Sequence, residues 1–170
     1  MHNSRLSLAL RLALRLAFQQ LLHSQRVGAL GTLAANGTPS VSMVPFAVDA
    51  AQGWLVIHVS ALAAHTGNLL ARPALSLMVM QAETTGEPVH ALPRISLNGH
   101  ADVLAPNSSA WSTSRSAYLQ RFPEAEPITQ LGDFTFMALH ITSAIQIAGF
   151  GAARSVERDE LDAAFRAEAD

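Results

Sequence analysis

From Gln25 to about Ala148 apolar and polar residues alternate with period two, while the flanking segments repeat at helical spacing, which predicts a β-rich body bracketed by helices. Leu8, Leu12, Ala13, Leu16 and Phe18 recur between arginines and predict an amphipathic helix from about Ser4 to His23, within a leading segment 1–24. Strands are predicted at Val27 to Ala34 and Ser40 to Val48, joined by the turn signal Asn36-Gly37, and at Trp54 to Val59 after a turn at Asp49 to Gly53. A short helical segment follows. Ala74 to Met80, introduced by Pro73, is a continuous apolar run and reads as a buried strand. A polar loop, Gln81 to Pro93, leads to a strand at Arg94 to Leu104, where Ile95, Leu97, Gly99, Ala101 and Val103 face one way and Arg94, Ser96, Asn98, His100 and Asp102 the other. Ser109 to Phe122 is helical by composition, and Pro123 and Pro127 break what comes next. Strands at Asp133 to Ile141 and Ala144 to Ala148, a Gly149-Phe150-Gly151 loop and an acidic helix over 156–168 complete the chain. The expected fold is mainly β with flanking helices (α+β), six or seven antiparallel strands over 25–150 closed as a barrel that hides its edges. With no repeat and no linker, 1–170 is one domain.

Composition then removes whole classes of chemistry. The 170 residues contain no cysteine, so disulfides, thiolate catalysis and cysteine-ligated metals are excluded, and a reducing, cytoplasmic setting is expected. Lysine is absent as well, and all 11 basic residues are arginines, so no Schiff base and no P-loop lysine exists. The net charge of −2 gives no reason to expect a nucleic-acid partner. Arg11 and Arg15 interrupt the leading apolar run, which argues against a membrane span. Charge is uneven: the first 48 residues hold four arginines and no acid, whereas Glu157 to Asp170 holds six acids, so the two ends should attract each other or face different partners.

The junction between Trp54 to Val59 and the following helical segment is the strongest candidate site. A strand handing over to a helix leaves backbone N–H groups aimed at one spot, with the positive end of the helix dipole behind them. Ser60, Thr66 and Asn68 add neutral donors there and His65 can add a cation, which suits a phosphate group. The plainer alternative is that Ser60 caps the helix. Elsewhere, His58 reads as a packed or interfacial histidine, and Arg94 as a surface ion pair with Asp102 or Glu83. His100 and His140 have no evident partner at metal-ligand spacing, so no zinc site is expected, and no base and acid surround Ser42 for nucleophilic catalysis. No catalytic residue can be assigned.

Taken in order, Gly37-Thr38-Pro39, Ser42-Met43-Val44-Pro45-Phe46, His58-Val59-Ser60 through His65-Thr66-Gly67-Asn68-Leu69, Arg72-Pro73, Arg94-Ile95-Ser96-Leu97-Asn98-Gly99-His100-Ala101, Asp133-Phe134 and Gly149-Phe150-Gly151 resemble the pyridoxamine 5'-phosphate oxidase-like FMN-binding split barrels. The resemblance is greatest to the haem-utilisation branch and covers about Phe18 to Ser155. It implies a Greek-key split barrel that forms a homodimer, with FMN in a cleft between subunits. By position, Ser60, His65, Thr66 and Asn68 would hold the phosphate and Arg94 would reach the flavin. Met43, Val44 and Pro45, with Ile57, His58 and Val59, would supply the backbone edge along the ring. Relatives usually carry a basic residue at or beside Ala64, so one cation of the cradle is missing here. The implied function is a flavin-dependent oxidoreductase that passes electrons to a small-molecule acceptor such as haem or oxygen. The alternative is a non-catalytic haem- or flavin-binding protein. The basic, tryptophan-containing C-terminal segment of the vitamin B6 oxidases is not matched by Ala152-Ala153-Arg154 and the acidic helix. Haem-degrading members commonly bind iron through a histidine in a C-terminal extension, whereas the last histidine here is His140.

Overall fold

A computed structural model describes residues 8–149 and 152–167. The expected helix residues 4–7, Phe150 and Gly151 of the glycine loop, and residue 168 lie outside the described residues. The first helix, α1 (Leu8–Ser24), packs through Phe18, Leu21 and Leu22 in its last two turns, and not along the expected stripe: Leu8, Leu12 and Leu16 are exposed. It meets the C-terminal helix α4 (Arg158–Arg166), the first of the two arrangements that the charge asymmetry allows, with Arg15 3.9 Å from Asp159 and His23 Nε2 3.0 Å from the Ala164 carbonyl oxygen.

β1 (Val27–Leu33) and β2 (Pro39–Pro45) form the expected hairpin, whose turn needs Gly37 at φ +84°. The single strand expected over Ser40 to Val48 is instead two strands. Pro45 and the buried Phe46 break it, and β3 (Ala47–Asp49) pairs with β4 (Trp54–Ser60). The sheet order is β2-β1-β5-β6-β7-β4-β3, all pairs antiparallel, with β5 (Ala74–Met80), β6 (Arg94–Val103) and β7 (Phe134–Ile147) in its middle. Its first and last strands are therefore joined by one residue, Phe46. Only a sheet rolled upon itself can bring its two edges that close, and the seam between them is where the barrel is split. The two late strands expected at 133–141 and 144–148 are one, β7, because a register shift at Asn98/Gly99 absorbs the Thr142 interruption. A short β8 (Ala153–Ser155), not anticipated, pairs with β7 and brings the count to eight.

The barrel interior holds Leu30, Val44, Phe46, Leu55, Ile57, Leu77, Ile95, Leu97 and Leu139, and α1 and α4 close it through Phe18, Leu22, Leu161 and Phe165. Outside the barrel, α3 (Ser109–Arg121) covers β3, β4 and β7 in a second cluster that includes Val56, Tyr118, Phe122, Phe136 and Ala138. The helical segment after β4 is α2 (Ala64–Ala71).

Candidate functional site

At the β4–α2 corner the structure gathers Ser60, His65, Thr66 and Asn68, as the sequence suggested, but most of their polar atoms are already used. The Ser60 hydroxyl accepts from the Leu62 N–H at 3.1 Å and lies 3.4 Å from Asp133 Oδ2. Thr66 is buried and donates its hydroxyl to the Ser60 carbonyl at 2.6 Å, while Asn68 Nδ2 donates to Thr32 Oγ1 at 3.0 Å and ties α2 to β1. Ser60 does not cap the helix: the N-cap position is Ala63, with no side-chain cap. Burial pushes the His65 imidazole below its ordinary value, so at neutral pH it is an uncharged ring and not the expected cationic donor. The Asp133 carboxylate beside Ser60 adds negative charge. The corner is thus a braced turn that holds an imidazole of lowered pKa and a carboxylate, with no arginine among Ser60, His65, Thr66 and Asn68.

Arg94 is not part of this corner within one chain. Thr32, the partner of Asn68, lies near one end of β1, whereas Arg94 pairs with Met80 on β5, beyond Met78, which faces Ala29 toward the other end. From Thr32 to Val27 is about 16 Å along the strand. Arg94 points to the outer face and donates to the Leu92 carbonyl at 3.0 Å. The expected ion pair with Asp102 or Glu83 is not made, and among the described residues no carboxylate pairs with Arg94.

What Arg94 does border is an apolar surface. On β5 the burial pattern alternates, contrary to the fully buried strand expected, so Met78 and Met80 face outward. They join Val27 on β1 and Val41 and Met43 on β2, with Val41 73% and Met43 67% exposed, around a groove of about 360 Å³. Isolated exposed apolar residues are ordinary, but a contiguous patch with a groove marks a surface for a ligand or partner. Met43 lines this groove and Pro45 pairs with Val27 beside it, whereas Val44 and Val59 point into the core and can offer only backbone. The sequence signal for Met78 and Met80 was Ser76, a polar residue that broke the apolar run at period two.

His58 lies elsewhere again, on the α3 side of the sheet. Its ring stacks on Phe134 at 5.1 Å and tilts against Phe136 at 4.3 Å and Tyr118 at 5.8 Å. Burial, and then the nearby Arg115 guanidinium, push its pKa down to about 4. The Tyr118 hydroxyl, pushed up to about 12 by burial and by Glu124, does not titrate in the acid range. An unfolded chain protonates His58 near 6.5, whereas the native state resists until about 4, so this stabilisation is whole above 6.5 and lost as pH falls toward 4. With partial exposure discounted, the loss is about 1–2 kcal/mol. His65 and His140 are shifted in the same direction, so His58→Phe should flatten, but not abolish, the decline in melting temperature between these pH values. An identical slope in both proteins would contradict this assignment.

His100 and His140, expected to lack partners, are in fact register partners across β6 and β7. The strand pairing that brings them together could not be seen in their sequence spacing.

A family model described as CREG, beta-barrel matches residues 15–162. The chain is 32% identical over 133 residues to the heme oxygenase HutZ of Vibrio cholerae, covering 78% of this chain and 74% of that one. It is 36% identical over 136 residues to the chloroplastic heme oxygenase HOZ of Arabidopsis thaliana, covering 78% of this chain but only 39% of the plant protein. A heme-binding protein from Mycobacterium smegmatis superposes with a TM-score of 0.75 at 26% identity, over 86% of this chain and 60% of that one. Among the described residues no helix is long and apolar enough to cross a membrane.

Proposed function

The chain belongs to the CREG beta-barrel family, of the pyridoxamine-phosphate-oxidase-like split-barrel type, and from that premise we propose that it binds haem against the outer face of its sheet. The observation that carries this reading is the exposed groove of Val27, Val41, Met43, Met78 and Met80, with Arg94, which has no acidic partner among the described residues, paired to Met80 at its margin. Haem is a flat apolar ring with carboxylates on one edge, and that is the complement of such a surface. Methionine thioethers are soft and polarisable, and mould to a porphyrin plane. Arg94 would take a propionate through a charge-assisted bond. When bound, haem supplies iron-centred redox chemistry, while the chain supplies apolar contact, orientation and exclusion of water.

The flavin-dependent oxidoreductase implied by the motif resemblance gives way to its alternative, a haem-binding protein. The relatives above 30% identity are named for haem, and the corner meant for a flavin phosphate holds a neutral histidine and a carboxylate. A second copy set over the haem on this sheet face would shield what the haem leaves exposed, so a homodimer belongs to the proposal. Whether the haem is degraded or only carried follows from bound haem and a reductant: oxygen-dependent loss of the Soret band marks an oxygenase.

Titration with haemin is expected to give a saturable Soret band, and Arg94→Ala and Met43→Asp should each weaken binding at least about tenfold. Both sites are on the surface, so the melting temperature should not move by more than a few degrees. FMN titrated in parallel should bind more weakly. Haem affinity untouched by both substitutions, or FMN retained in place of haem, would overturn the proposal.

A further inference from the structure

A second cluster of chemistry-bearing side chains stands apart from this groove, where the C-terminal end of β6 pairs with the middle of β7. His100 pairs directly with His140, and their rings stack at 5.0 Å with planes 19° apart. Asp102, two residues along β6, projects from the same face, and its Oδ2 lies 3.2 Å from His140 Nε2 and 3.9 Å from His100 Nε2. The three ligand atoms fall within 4.8 Å of one another. Zinc held by nitrogen and oxygen at about 2.0–2.1 Å in a tetrahedron places its ligand atoms about 3.3 Å apart, so the cluster needs only small side-chain rotations.

Backbone and neighbours hold this arrangement. A Cβ on Gly99 would lie 1.9 Å from the His140 carbonyl oxygen, so β6 approaches β7 at this point closely enough to require glycine. The Trp54 and His140 rings meet in a T-shaped contact with centroids 5.0 Å apart, and Trp54 is itself fixed: its indole N–H donates to Ser114 Oγ at 3.1 Å, and Ser114 donates to the buried Asp49 at 2.7 Å. His140 therefore sits between a braced indole on one side and its cross-strand partner on the other. Exposure of His100 and Asp102 leaves the open side reachable from solvent. Two imidazoles and one carboxylate with an open fourth position form a donor set suited to a divalent transition-metal ion, and unsuited to magnesium or calcium, which take oxygen ligands.

We propose that His100, Asp102 and His140 bind one divalent transition-metal ion of the zinc class, with water as the fourth ligand, at a site separate from the apolar groove. It does not depend on haem binding. The haem-free full-length chain is titrated with Co²⁺, whose visible bands report a tetrahedral environment, and then with Zn²⁺ as competitor; Cu²⁺ quenching of tryptophan fluorescence is followed in parallel. One Co²⁺ per chain, displaced by Zn²⁺, is expected, together with quenching that disappears in Trp54→Phe. His100→Ala and His140→Ala should each weaken the ion at least about tenfold, and Asp102→Asn should weaken it and alter the cobalt bands. His90→Ala, at an exposed histidine outside the cluster, should change nothing. Absence of the cobalt bands at micromolar ion, or equal binding by the His100→Ala/His140→Ala double variant with a native melting curve, would overturn the site.

Discussion

Gly99→Ala is expected to lower the melting temperature by about 8–15 °C, corresponding to a loss of about 3–5 kcal/mol. The new methyl would lie 1.9 Å from the His140 carbonyl oxygen, 2.8 Å from its carbon and 3.0 Å from Ile141 Cα, all backbone atoms that no rotamer change can move. The two central strands must part, which weakens their ladder next to the bulge at Asn98/Gly99 and opens the core around Leu97, Ala101, Leu139 and Ile141. Gly31→Ala is the control, because its Cβ would stay 3.4 Å from the nearest atom. Thermal melts of the two variants side by side check the prediction; equal stability would show that the strands have slack at Gly99.

Phe46→Ala should cost about 3–5 kcal/mol, read as a lower denaturant midpoint with an unchanged slope. Phe46 is fully buried and occupies the single-residue link between the two edges of the rolled sheet. Its backbone N–H donates to the Arg26 carbonyl at 3.2 Å, and the Arg121 guanidinium lies 5.5 Å from its ring. Truncation removes about a full aromatic burial and leaves a cavity where the barrel seam, β1 and α3 converge. Phe46→Leu keeps most of the volume and should lose less than half as much. A loss below about 1 kcal/mol for alanine would mean that the seam closes around the gap.

Much of this fold was legible because period-two alternation is a local signal. β1, β4 and β6 fall within a residue or so of their expected limits, and Asn36-Gly37 marks its turn. The errors arise where pairing decides. Ser40 to Val48 reads as one apolar-rich run although its apolar positions slip phase after Met43, and there the chain changes edges: Phe46 takes the barrel interior while Ala47 starts a new ladder. Thr142 and Ser143 read as a gap because sequence cannot show that the partner strand shifts register to accommodate them. The same holds for the sites. Ser60, His65, Thr66 and Asn68 are neighbours in sequence and fall at one corner, but the bonds of Thr66 to Ser60 and of Asn68 to Thr32 depend on how α2 lies over β1. His100 and His140 are forty residues apart, and only the β6–β7 register brings them face to face.

β7 has one further consequence. Its Met137, Leu139, Ile141 and Ala144 belong to the barrel interior, while Phe136 and Ala138 belong to the cluster under α3. One continuous rod of backbone thus serves as the common wall of two rooms, and neither can be emptied without disturbing the other. Disorder that starts beneath α3 has a direct route to the helices at the far mouth of the barrel, so the molecule should come apart as a unit and not in halves.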